Sequence, residues 1–274
     1  MRDIINAKLK FIVSQDTKPY FESSALTGSV PKVHFKIEDK NVSIKDLRND
    51  LQRNKYLLDI NGFEFYKFES NNKDFYNHDE VVKVYQSELE NFFKSKYSAK
   101  EVYVFDYTRR SDGNKGAKNP DGLRLPADRV HADYTDLSGP QRAKEVMGED
   151  KFNNIVNNGD RIMQLNVWKP INGPIKRSPL AFADALSIPK SDLVATDQLF
   201  PNRTGEIYHL LYSKKHQWYW VSNMTDNEIL LLKGWDSIED GRAKYTPHGA
   251  FILPDQLETD PPRESIEARV FLVL

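Results

Sequence analysis

Between residues 79 and 97, Val81, Val82, Tyr85, Leu89, Phe92 and Phe93 recur at helical spacing among polar neighbours, which predicts an amphipathic helix. Elsewhere the apolar positions follow a period of two. EVYVFDYT (101–108) alternates as a strand, and VHFKIEDKNVSI (33–44) and YLLDINGFEFYKF (56–68) read as strands, the second around an Asn61-Gly62 turn signal. The second half is more strongly β. RIMQLNVWKP, EIYHLLYS, HQWYWVSN, NEILLLKGWD and EARVFLVL are each strand-length and rich in β-branched or aromatic residues, with turn chemistry between them.

Many short strands separated by turns predict a sandwich or barrel. The expected architecture is mainly β with peripheral α-helices, built on a jelly-roll core, with the helix at 79–97 packed across the outside of one sheet. The chain reads as a single domain over 1–274: N-terminal strands and the helix to residue 100, then the jelly roll over 101–274. The polar run SDGNKGAKNPDG (111–122) reads as an exposed loop and a candidate flap. SGPQRAKEVMGED after it reads as a short helix with Ser138 as its cap.

Charge and composition narrow the function classes. Lysine plus arginine total 39 against 40 acidic residues, so nothing in the charge calls for nucleic acid or an anionic membrane. The absence of cysteine excludes disulfides, thiolate metal sites and thiol nucleophiles. No window is apolar enough to span a bilayer, and the opening MRDIINAKLKFIVSQD mixes charge throughout, so a cytoplasmic protein acting on a small molecule is expected. A homodimer is an arrangement the sequence leaves open.

Candidate chemistry centres on VHADYT (Val130 to Thr135). On an extended chain the side chains of His131 and Asp133 project to one face, where both could grip one metal ion. The tripeptide His-x-Asp arises readily by chance, and His78-Asp79 is followed by Glu80 where the helix begins, which helix-start electrostatics explains. A second histidine must come from a distant strand. His209, flanked by apolar residues, reads as a core or sheet-face residue; His216, beside two lysines, reads as an exposed turn or entrance residue. His248, between Pro247 and Gly249, is the favoured third ligand.

A carboxylate-bearing cosubstrate needs a cationic clamp. Arg263 with Ser265 forms an Arg-x-Ser pair suited to bidentate binding, and Arg269, on the same alternating face, is the rival or a structural partner of Glu267. Tyr107, Tyr134 and the aromatics Trp218, Tyr219 and Trp220 could line an apolar pocket, although core roles are commoner for such residues.

The series VHADYT with SGPQR, LNVWKPINGPIKRSPLAFADA, HQWYWVSNMTDNEILLLKGWDS, PHGAF and PPRESIEAR resembles the hydroxylase/desaturase family of non-haem iron, 2-oxoglutarate-dependent oxygenases. The resemblance covers roughly residues 40–274 and is densest after 129. It implies a double-stranded β-helix with Fe(II) held by His131, Asp133 and His248. It further implies 2-oxoglutarate and O2 as cosubstrates, a carboxylate partner at Arg263 or Arg269, and Asn166 and Trp168 close to cosubstrate or substrate. The implied reaction is hydroxylation, desaturation or oxidative cyclisation at an unactivated C–H bond of a natural-product intermediate or modified amino acid. Two other readings stay open: an Fe(II) oxidase of the same fold without 2-oxoglutarate, and a non-catalytic β-sandwich binding module.

Overall fold

The computed structural model describes residues 3–28, 30–51, 56–113, 116–120 and 122–274. The chain opens with β1 (Ile4–Ile12), β2 (Tyr20–Glu22), the short helix α1 (Ser24–Thr27), β3 (Lys32–Val33), β4 (Ile37–Asp46) and β5 (Phe63–Lys67). Helix α2 (His78–Glu80) runs through a π-helical turn at Val81–Tyr85 into α3 (Gln86–Tyr97). Then come β6 (Glu101–Ser111), β7 (Ala117–Asn119), β8 (Gly122–Arg124), β9 (His131–Ala132), α4 (Ser138–Met147) and α5 (Glu149–Asn157). The remainder is β10 (Ile162–Pro170), β11 (Leu180–Ala183), β12 (Leu193–Leu199), β13 (Thr204–Leu210), β14 (Trp218–Trp220), β15 (Glu228–Asp236), β16 (His248–Ala250) and β17 (Glu264–Val273).

Two sheets face each other. The larger has the order β1-β4-β14-β11-β16-β9-β13-β12-β2-β3, the smaller β5-β15-β10-β17-β6. Leu180 and Phe182 of the first pack with Trp168, Leu230 and Leu232 of the second, closing one end of a jelly-roll barrel. The large sheet curls far enough that Val130, just before β9, donates its amide to Lys10 of β1 at 2.9 Å.

The small sheet explains why its strands carry polar residues at alternate positions. Every residue of β10 is buried. Met163, Leu165 and Val167 face outward beneath Val81, Tyr85, Leu89 and Phe93 of the helix, as the periodicity predicts. Gln164, Asn166 and Trp168 point the other way, into the barrel, where polar groups survive burial by bonding to one another: Gln164 donates to Asn166 at 2.9 Å. β17 alternates in the same manner, with Ile266, Ala268, Val270 and Leu272 outward.

Several local expectations are corrected. Residues 57–62 form turns, not a strand: the amides of Ile60 and Asn61 both reach the Leu57 carbonyl, and the Asn61 side chain accepts from the Leu57 amide. Strand β4 starts at Ile37, later than expected. Ser138 is the first residue of α4 and not its cap, a position Leu137 occupies; just ahead, the Thr135 hydroxyl accepts from the Leu137 and Ser138 amides. The hairpin β7–β8 begins within the run expected to be loop and extends two residues past it; Asn114, Lys115 and Asp121 of that run lie outside the described residues. Helix α5 and strands β11 and β12 were not expected. Among the described residues no helix is long and apolar enough to cross a membrane.

Candidate metal centre

Strand β9 is only two residues long, yet it sits between β16 and β13 and sets the register of the site. His131 stands opposite His248 on one side and opposite His209 on the other. Asp133 follows just past the strand end. Ligand atoms of His131, Asp133 and His248 all lie within 4.8 Å of one another. The Nε2 of His131 is 3.3 Å from Asp133 Oδ1, and the two imidazole centroids are 4.7 Å apart.

Backbone carbonyls fix which ring nitrogen is offered. Nδ1 of His131 lies 2.7 Å from the Arg129 carbonyl, and Nδ1 of His248 lies 2.9 Å from that of Thr246. A carbonyl only accepts, so both Nδ1 atoms carry the proton and both Nε2 lone pairs remain for a metal. Burial pushes the His248 imidazole down to about 4, which keeps it neutral and ligating. Burial opposes the charge on Asp133, but the Arg269 guanidinium outweighs it and holds the carboxyl well below its usual range. Two neutral imidazoles and one carboxylate suit a non-haem ferrous ion.

The structure separates the two rival arginines. Arg269 is fully engaged, bonding Asp133 Oδ2 at 2.8 Å and Glu267 at 2.7 Å and pairing with Asp106. Among the described residues no carboxylate lies within 4.0 Å of the Arg263 guanidinium, although its backbone amide donates to Asp112 Oδ1 at 2.7 Å. Arg263 is 1% exposed, donates from Nη1 to the Ser178 carbonyl at 2.6 Å, and leaves its buried Nε without a partner. Trp168 stacks beneath it at 5.8 Å. Arg263, Ser265, Trp168, His131 and His248 line one small chamber together with Arg110. An orphaned guanidinium donor beside two free imidazole nitrogens fits a carboxylate ligand that also reaches the metal.

Asn166 sits on the other side of the carboxylate, its Nδ2 donating to Asp133 Oδ2 at 2.7 Å. A separate cleft of about 540 Å³ opens between the edge strand β6, β13 and α4, and touches Asp133 and Arg269 at its base. Tyr107 and Tyr134 line it. Trp218 and Trp220 belong to the hydrophobic core instead. His209 is buried with Phe21 and Phe35 against its ring and is not one of the three clustered residues. His216 is buried, contrary to the expectation of exposure, because Asp192 takes its Nε2 at 2.8 Å.

The sequence reading missed Arg110 and Glu267 as chamber residues. The signal was present: Asp106, Thr108 and Arg110 continue the alternation of 101–108 past its expected end, as one polar face opposite Arg269, Glu267 and Ser265.

A family model described as an oxidoreductase/YMDC permease-like domain matches residues 9–273. The alpha-ketoglutarate-dependent dioxygenase phiK of Fungal sp. (strain ATCC 74256) is 32% identical over 243 residues, 85% of this chain and 86% of that protein. The hydroxylase/desaturase efuI of Hormonema carpetanum is 29% identical over 264 residues, covering 88% and 86%. The solved structure of the iron and alpha-ketoglutarate-dependent endoperoxidase NvfI superposes with a TM-score of 0.84 at 23% identity, over 100% of this chain and 99% of that one, a likeness of fold.

Proposed function

The chain belongs to the hydroxylase/desaturase family of Fe(II)/2-oxoglutarate-dependent dioxygenases, matched by the oxidoreductase/YMDC permease-like domain over nearly its whole length, and from that premise we propose how its residues divide the work. His131, Asp133 and His248 hold ferrous iron, and Arg263 with Ser265 receives a carboxylate of 2-oxoglutarate. The observation that carries this reading is the partnerless Nε of buried Arg263 in the chamber lined by both histidines. It favours a 2-oxoglutarate enzyme over an iron oxidase that draws all its electrons from substrate.

When bound, iron with 2-oxoglutarate and O2 supplies the oxidising power for an unactivated C–H bond, with succinate and carbon dioxide as coproducts. The protein's own contribution is orientation. Carbonyls of Arg129 and Thr246 hold the imidazoles, and Arg269 with Asn166 holds the carboxylate from behind. Trp168 covers one side of Arg263, excluding water from the guanidinium and strengthening its grip on an anion.

The substrate is a small molecule, and we read it as a natural-product intermediate or modified amino acid that enters through the cleft along β6; the cleft's volume suits such a ligand. We read residues 1–274 as one oxygenase domain, since β1 and β4 are members of the sheet that carries both histidines. The lack of cysteine fits a reducing compartment, and we place the enzyme in the cytoplasm. The reading is tested by incubating the ferrous protein with 2-oxoglutarate, O2 and a natural-product panel. Succinate is expected from the wild type and not from His131→Ala or Arg263→Met at equal folded concentration. No succinate from the wild type with any compound contradicts it.

A further inference from the structure

We propose that the substrate carries a carboxylate or an equivalent acidic group, and that Arg110 is the residue that binds it. The inference rests on the oxygenase reading above and goes beyond it by naming a substrate class. Arg110 stands in the wall between the two spaces: it lines both the chamber of Arg263 and the large cleft that touches Asp133. Any molecule that brings a C–H bond to the metal through this cleft passes its side chain.

Arg110 lacks an anionic partner. Among the described residues its guanidinium makes one hydrogen bond, from Nη1 to the Leu125 carbonyl at 2.9 Å, and no carboxylate lies within 4.0 Å of it. The carboxylates of the cleft are already taken. Asp106 and Asp133 pair with Arg269, Glu145 with Arg142 at 2.9 Å, and Glu206 with Lys18 at 2.7 Å. Among the described residues, lining arginines outnumber lining carboxylates six to four, a cationic surplus. Burial pushes the Arg110 guanidinium down to about 10, so it stays charged at neutral pH. A charged guanidinium in a low-dielectric wall, hydrogen-bonded to one carbonyl and with Glu267, already paired to Arg269, beyond 4.0 Å, is stabilised by an incoming anion.

Two sources of carboxylate reach this wall, the substrate and 2-oxoglutarate itself, and the experiment separates them. A series of aryl and alkyl carboxylic acids, each with its methyl ester, is titrated calorimetrically and anaerobically into the ferrous holoenzyme saturated with 2-oxoglutarate. In the wild type at least one acid is expected to bind about tenfold or more tighter than its ester, the range of a charge-assisted hydrogen bond. Arg110→Gln should remove that preference by weakening the acid and sparing the ester, with 2-oxoglutarate affinity unchanged within about twofold. Arg110→Lys, which keeps the charge without the planar fork, should retain part of the preference, and it decides the matter if the glutamine variant does not fold. The proposal is overturned if no acid is preferred over its ester. It is equally overturned if Arg110→Gln keeps the preference, or if that variant loses 2-oxoglutarate affinity about tenfold instead, which would assign Arg110 to the cosubstrate. Absence of succinate from the wild type refutes the oxygenase reading separately, since acid binding is measured without turnover.

Discussion

Arg269 Nε donates to Asp133 Oδ2 at 2.8 Å, and Asn166 Nδ2 meets the same oxygen at 2.7 Å. Both donors act on one oxygen, which leaves Oδ1 facing the Nε2 of His131. The carboxylate is thus oriented before any metal arrives. This fits a positioning role for Arg269 and the proposed cosubstrate role for Arg263.

Replacing Arg269 should therefore weaken metal binding. Arg269→Gln is expected to lower Fe(II) affinity by about 10–100-fold, as loss of a partner behind a metal ligand does. It also leaves Asp133 and Glu267 buried without their cation, a cost of about 3–5 kcal/mol for a broken buried pair. Adding Glu267→Gln should restore part of the stability but not the metal affinity. Metal titration together with denaturant melts distinguishes these; equal recovery of both contradicts the positioning role.

Gly62 supports His248 at one remove. Its φ is +83°, and a Cβ there would lie 2.4 Å from Thr246 Oγ1. Thr246 is the residue whose carbonyl accepts from His248 Nδ1. Gly62→Ala is expected to destabilise the fold by about 1–3 kcal/mol through overpacking and backbone strain and to weaken Fe(II) binding, as read by thermal melts and metal titration. An unchanged metal affinity would detach Gly62 from the site.

Lys169 is a buried cation on the outward face of β10, 1% exposed, with the Phe75 ring 5.6 Å from its Nζ. Burial pushes its pKa down from 10.5 to about 8. Between those two values the unfolded chain binds the extra proton, so stability rises with pH across that window and the penalty is full below about 8. Lys169→Met should add about 1–3 kcal/mol at pH 7 and flatten the rise in stability between pH 8 and 10.5. Denaturant melts of both proteins across that range check the sign.

How much of this was legible in the sequence depends on how local each feature is. The helix at 79–97 was, because its apolar stripe matches what the small sheet buries, although the π-helical turn shifts Val82 outward to 40% exposure. His131 and Asp133 were, because two residues on an extended chain share a face. His248 was a preference only: it joins His131 through the pairing of β16 with β9, a contact 117 residues apart that no local pattern encodes. Arg263 and Arg269 could not be told apart by alternation, since Arg269 in β17 and Arg263 just before it fall on one alternating face. Their partners decide: Asp106, Asp133 and Glu267 surround Arg269, whereas the Arg263 side chain hydrogen-bonds only the Ser178 carbonyl among the described residues. Residues 57–62 misled because Leu57, Leu58 and Ile60 are apolar enough for a strand, while a side-chain bond from Asn61 closes a turn.

The most direct test of the central claim is anaerobic titration of the ferrous protein with 2-oxoglutarate, followed by visible absorption. The wild type should develop the metal-to-ligand charge-transfer band of a chelated 2-oxo acid. His131→Ala and His248→Ala should lose it by losing iron, and Arg263→Met should keep iron while needing far more 2-oxoglutarate to reach the same band. A wild type that binds ferrous iron and never develops the band, or an Arg263→Met protein that titrates like the wild type, would contradict the account.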